Sequence, residues 1–105
     1  MKTYTICGSM RFEKQMREIA CHLETEKGFN ILQCTYSEGK KLSNNETANI
    51  VRAHYRKIDI SDGIYVVNIG GYIGKSVQEE ISYAQRTGKE ILYHEPMIGG
   101  GSAGS

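Results

Sequence analysis

The sequence predicts an α/β fold built on a parallel sheet, and three observations predict it. Apolar runs of strand length alternate with segments whose apolar residues recur at helical spacing. A helix-length segment separates each run from the next, as parallel strands joined by crossovers require. The run Gly63-Ile64-Tyr65-Val66-Val67-Asn68-Ile69 lacks polar alternation, which suits a central strand covered on both faces.

Residues 2–7 alternate and then turn apolar into Gly8, forming the first strand. Phe12, Met16, Ile19, Ala20 and Leu23 mark the inner face of a helix that stops near Lys27-Gly28, where glycine ends it. Residues 29–34 make a short second strand, and the polar, glycine-containing stretch 37–42 is a loop. Ser43 and Glu46 have the spacing of a capping box. Ala48, Val51, Tyr55 and Ile58 then define one face of a second helix that ends near 59–61. After the third strand at 63–69, Val77, Ile81 and Ala84 give a third helix that stops near Thr87-Gly88. Residues 90–93 form the fourth strand, and Pro96 ends regular structure. The order β-α-β-α-β-α-β predicts a three-layer sandwich with four to five parallel strands arranged 2-1-3-4. That order puts the switch point between strands one and three, where open α/β sheets bind ligands.

A length of 105 residues suits one domain. Residues 1–96 form it, and the glycine- and serine-rich residues 97–105 read as a flexible tail. A net charge of +1 excludes nucleic-acid polymers and membranes as partners held by bulk electrostatics, so any phosphate affinity must be local. Small domains bury proportionally little surface, which favours a homodimer or higher homo-oligomer. Cys7, Cys21 and Cys34 lack the paired spacing of zinc motifs, and neither a metal nor a cofactor is expected. No apolar segment of signal-peptide or membrane-spanning character occurs, so reduced thiols in a cytoplasm are the expectation.

Two strand-to-helix junctions carry the candidate chemistry. At Gly8-Ser9-Met10-Arg11, backbone N–H groups and the positive end of a helix dipole favour an anion. The Ser9 hydroxyl can donate and Arg11 can clamp two oxygens, or Ser9 simply caps and Arg11 is solvated. At Gly70-Gly71-Tyr72-Ile73-Gly74-Lys75-Ser76, the spacing is one residue short of a P-loop, which excludes nucleoside-triphosphate chemistry of that type. Gly74 allows a tight turn close to a ligand, and Tyr72 is placed to stack on a base. Ser76 and Glu79 fit a second capping box, leaving Glu80 free to project into the crevice. One helical residue rotates a side chain by about 100°, so Glu79 and Glu80 cannot share a role. His54 falls off the apolar stripe of its helix, where surface or packing histidines are common. Turn formation accounts for Asp59 and Asp62.

Taken together, Ile6-Cys7-Gly8-Ser9-Met10-Arg11, the stretch from Asp59 to Asn68, and Glu80-Ile81-Ser82-Tyr83-Ala84 resemble the nucleoside 2-deoxyribosyltransferase family. Its small branch, which includes the 2'-deoxynucleoside 5'-phosphate N-hydrolases, is the nearest in look. The resemblance implies a flavodoxin-like fold, usually dimeric, with active sites near the interface. It implies that Glu80 acts at the anomeric carbon of a deoxyribose, and that Gly8, Ser9, Met10 and Arg11 bind a 5'-phosphate; Gly74 and Ser76 of the second junction are further candidates for phosphate contact. A family tyrosine near the sugar falls at Thr5, and Asn68 and Tyr72 are further candidates for base or sugar contact. The family aspartate aligns with His54, unless Asp59 supplies it from one turn further on. The function so implied is cleavage of the N-glycosidic bond of a nucleoside or nucleoside 5'-monophosphate, by hydrolysis or base transfer. The alternatives are a protein that captures a nucleotide or nucleotide-derived signal intact, and an interaction module with a vestigial crevice.

Overall fold

A computed structural model describes residues 1–97; the expected tail lies, apart from Met97, outside the described residues. The chain runs through β1 (Thr3–Gly8), α1 (Glu13–Lys27), β2 (Asn30–Leu32), α2 (Asn44–Ile60), β3 (Gly63–Val67), α3 (Lys75–Arg86) and β4 (Glu90–Tyr93). The four strands form one all-parallel sheet in the order β2-β1-β3-β4, the flavodoxin-like arrangement. β1 and β3 are central, pairing from Tyr4↔Gly63 to Gly8↔Val67.

Side-chain alternation along the central strands builds a core on each face of the sheet. Tyr4, Ile6 and Val67 pack against Met16, Ala20 and Leu23 of α1. Cys7, Ile64 and Val66 face the other way, against Ile58 of α2 and Val77 and Ala84 of α3. One helix therefore covers one face and two cover the other, which makes three layers.

Several element ends follow from local chemistry. Gly28 adopts φ 71° and returns its N–H to the Leu23 carbonyl, closing α1 where expected. Ser43 and Glu46 form the full capping box: Glu46 N donates to Ser43 Oγ at 3.1 Å and Ser43 N donates to Glu46 Oε1 at 2.9 Å. Gly63 is dictated by packing, since a Cβ there would be driven into the Glu90 carbonyl of the paired strand.

Four expectations need correction. β2 is an edge strand of three residues rather than six, because only Asn30, Ile31 and Leu32 find partners on β1. β3 ends at Val67, where Asn68 leaves the extended region and Ile69–Gly71 form a 3-10 turn. The capping box at Ser76 and Glu79 does not form. α3 starts earlier, with Gly74 at the N-cap and no side-chain cap, so Ser76 is already inside the helix. Finally, the buried stripe of α2 is turned from the expected one: His54 and Ile58 are buried, whereas Val51 is 48% exposed.

The last described segment is tied to the loop after β3. Asn68 Nδ2 donates to the Glu95 carbonyl at 2.9 Å, and Glu95 N donates to Asn68 Oδ1 at 2.7 Å. Gly70 N donates to Glu95 Oε1 at 3.1 Å.

Candidate functional site

A cleft of about 480 Å³ opens at the carboxyl ends of β1 and β3, within the range of small-molecule sites. Its walls come from four places. The end of β1 and the loop after it contribute Gly8, Ser9 and Met10, and the segment between β2 and α2 contributes Cys34, Thr35 and Ser37. α2 presents Thr47, Ile50 and His54, the loop entering α3 presents Tyr72 and Gly74, and the first turn of α3 presents Ser76, with Glu80 deeper. The strand order explains this meeting: the connections from β1 and β3 diverge to opposite faces and leave a crevice between them.

The floor of the cleft is polar and enclosed. His54 Nε2 lies 3.2 Å from Glu80 Oε1, with the two side chains only 10% and 13% exposed. The same nitrogen lies 3.5 Å from Cys7 Sγ. His54 Nδ1 is buried with no hydrogen-bond partner among the described residues. A proton on Nε2 can be donated to Glu80, whereas one on Nδ1 would find no acceptor. The geometry therefore selects the Nε2–H tautomer, in which His54 orients the carboxylate. Burial, and then the negative charge of Glu80, push the Cys7 thiol well above its ordinary range. Tyr55, on the cleft wall, is also shifted upward, mainly by burial and next by Glu80.

The mouth is organised differently. The central carbon of the Arg11 guanidinium lies over the Tyr72 ring, 3.8 Å from its centroid. Phe12 meets the same ring edge-on at 6.1 Å. Contact with the ring face restrains the guanidinium, and its N–H groups make no hydrogen bond among the described residues. Arg11 N donates to Ser9 Oγ at 3.3 Å, so Ser9 caps the 3-10 turn that precedes α1 while its hydroxyl proton remains able to donate. Gly8 is small for a reason beneath the loop: a Cβ would press on Met16 Sδ at 3.0 Å and Val67 Cβ at 3.1 Å.

The structure thus gathers Gly8, Ser9, Met10, His54, Tyr72, Gly74, Ser76 and Glu80 around one cleft, with Arg11 stacked at its edge. His54, expected off the inward stripe, is buried because Cys7 and Glu80 satisfy its inner nitrogen. Glu79 and Glu80 diverge: Glu79 lines a separate open surface beside Lys75 and Arg86.

Three candidates lie elsewhere. α2 runs back against the strands, so residues late in it descend from the cleft toward the start of the sheet. Asp59 is accordingly exposed there; its carboxylate accepts from the Tyr83 hydroxyl and its carbonyl from Lys89 Nζ. Thr5 is fully buried below the floor, its hydroxyl 2.7 Å from that of Ser61. Asn68 is committed to Glu95.

Cys7, buried behind the cleft lining and in contact with His54, is the residue that sequence reasoning missed. Its signal was alternation on the first strand: Cys7 and Thr5 face the layer opposite to Ile6, which is the His54 side. No protein-family model, curated protein or solved structure gives a significant match to the chain.

Proposed function

We propose that the chain cleaves the N-glycosidic bond of a nucleoside 5'-monophosphate. The observation that carries this is the Glu80 carboxylate, oriented by His54 at the floor of a cleft whose mouth bears Ser9 and the Tyr72-stacked Arg11. The resemblance of the three sequence segments to nucleoside 2-deoxyribosyltransferases supports the same assignment.

In this mechanism the phosphate is held at the mouth, by Arg11 and the Ser9 hydroxyl. Binding energy gathered there positions the sugar over Glu80. As the C1'–N bond breaks, its electron pair leaves with the base and positive charge develops on the sugar. Glu80 bonds to C1', splitting one difficult step into two. Water then attacks C1', its oxygen displacing the glutamate; one water proton stays on the sugar and the other is accounted for on the released base. A second base in place of water gives transfer. His54 holds the attacking carboxylate, and Tyr72 is positioned to stack on an aromatic ring.

The test is a panel of ribo- and deoxyribonucleoside monophosphates assayed for free base, with Glu80→Gln alongside. Wild type is expected to release base at least about 100-fold faster, in line with loss of a covalent catalyst. Equal rates would sink the catalytic assignment.

One observation favours a second function, capture of the nucleotide intact. Thr5 stands where the resembled family has a tyrosine near the sugar, and it is turned onto Ser61 rather than into the cleft. Calorimetry showing tight binding, with the ligand recovered whole, would select capture over cleavage. A homodimer belongs to the same proposal: Val51, at 48% exposure on the cleft wall, and Met10, at 46%, give apolar surface for a second copy to cover. Sedimentation at micromolar concentration tests it.

A further inference from the structure

Beyond the nucleotide chemistry, we propose that Cys7, His54 and Glu80 form a three-ligand site for a zinc-class divalent cation, with a fourth position open to the cleft. One ligand atom from each residue falls within a cluster in which all separations are below 4.8 Å.

Two of the three separations match a tetrahedron around zinc, and the third, from Cys7 Sγ to the Glu80 carboxylate, is within 4.8 Å. Bond lengths of about 2.3 Å to sulfur and about 2.0–2.2 Å to nitrogen and oxygen give tetrahedral edges of about 3.5 Å (S to N) and about 3.4 Å (N to O). The observed edges are 3.5 Å from Cys7 Sγ to His54 Nε2 and 3.2 Å from His54 Nε2 to Glu80 Oε1. A cation therefore enters with shifts of a few tenths of an ångström on these two edges. The three ligands come from β1, α2 and α3, whose mutual packing holds them without any ion. One sulfur, one imidazole and one carboxylate select zinc or cobalt over magnesium or calcium, which prefer all-oxygen shells. Cys7 enters as thiolate, its proton passing to solvent, and the His54 proton moves from Nε2 to Nδ1 so that Nε2 can ligate. Three protein ligands and an open face constitute the arrangement of reactive rather than structural zinc sites.

The surroundings also set the affinity. Metal-bound histidines usually donate their other N–H to an acceptor, and lack of that support costs about 10–100-fold. His54 Nδ1 has no acceptor among the described residues. The site is therefore weaker than a structural zinc centre and its occupancy is reversible. Where Glu80 also serves base cleavage, a consequence that rests on the function proposed above, zinc and the sugar compete for one carboxylate and the cation switches cleavage off.

The experiment is titration of the reduced, metal-free protein with Co²⁺, following thiolate-to-cobalt charge-transfer absorption and the intense d–d bands of a tetrahedral ion, then displacement by Zn²⁺. Saturation at one Co²⁺ per chain is expected. Cys7→Ala should abolish the charge-transfer band, and Glu80→Gln should weaken binding by at least about tenfold, by analogy with loss of metal-site support. Cys34→Ala removes the thiol that lines the cleft wall and should bind as wild type does. Circular dichroism melts confirm that each variant is folded. Absence of the charge-transfer band in wild type would overturn the site, as would its loss in Cys34→Ala with retention in Cys7→Ala. The readout is independent of base release: cobalt binding without cleavage leaves the site standing and removes only the enzyme, whereas cleavage without cobalt binding does the reverse.

Discussion

The His54 imidazole and the Glu80 carboxylate, 26 positions apart in sequence, meet at 3.2 Å in a nearly closed floor. Neither group has ready access to water, so each depends on the other. His54→Ala should therefore leave a buried carboxylate short of a donor and lower stability by about 1–3 kcal/mol. Glu80→Gln keeps an oxygen that can accept from Nε2 and should cost less. Chemical denaturation of both variants checks the order. A Glu80→Gln protein less stable than His54→Ala would show that the pair is not organised in this way.

Arg11 over Tyr72 predicts a selective binding defect. Losing a charged hydrogen-bond donor to phosphate costs about 1.5–3 kcal/mol, or about 10- to 150-fold in affinity. Arg11→Ala should show that loss for a nucleoside monophosphate and almost none for the corresponding nucleoside. Tyr72→Ala should weaken both, since it removes the ring and releases the guanidinium. Calorimetry with the two ligands separates these outcomes.

Gly63 predicts a stability defect without a ligand effect. An added methyl meets the Glu90 backbone carbonyl, which cannot turn aside without breaking the β3–β4 ladder. Gly63→Ala should cost at least about 1–3 kcal/mol, the usual penalty of overpacking. A melting temperature equal to wild type would contradict the register.

Tyr4 predicts the alkaline limb of stability. Burial first, and then its hydrogen bond to the Glu90 carboxylate, raise it from the ordinary 10.0 to about 12. The unfolded chain thus loses this proton before the folded one does. The contribution is whole below pH 10 and disappears as pH rises from 10 to 12. Tyr4→Phe should flatten stability across that window, as followed by urea unfolding at several pH values. An unchanged slope would rule out the shift.

Much of the fold was legible because periodicity and capping act locally. Gly28 and the Ser43–Glu46 pair ended and began helices as their chemistry demands, and the strand order followed from crossover rules. The misses were places where distant partners decide. β2 is short because β1 offers it only three partners, which nothing in residues 29–34 encodes. Gly74 displaced Ser76 as N-cap because the loop's path sets where helical geometry starts. The site divided in the same way. Gly8, Ser9, Met10, Tyr72 and Glu80 line one cleft because the topology brings the ends of β1 and β3 and the start of α3 together. His54 was read against an apolar stripe that its tertiary partners overrule, and Asp59 required knowing which way α2 descends. Cys7 was weighed only by its spacing from Cys21 and Cys34, and that spacing does not show the imidazole that lies beside it.

The fastening of Asn68 to Glu95 sets a limit on how far the chain can be trimmed. Ending it short of residue 95 would strand a buried carboxamide whose donor and acceptor are both spoken for, and would free the Gly70 amide. The slack would pass along the glycine turn to Tyr72 and so to the guanidinium resting on it. Deletions that remove Glu95 should therefore register first as a loosened contact between Tyr72 and Arg11.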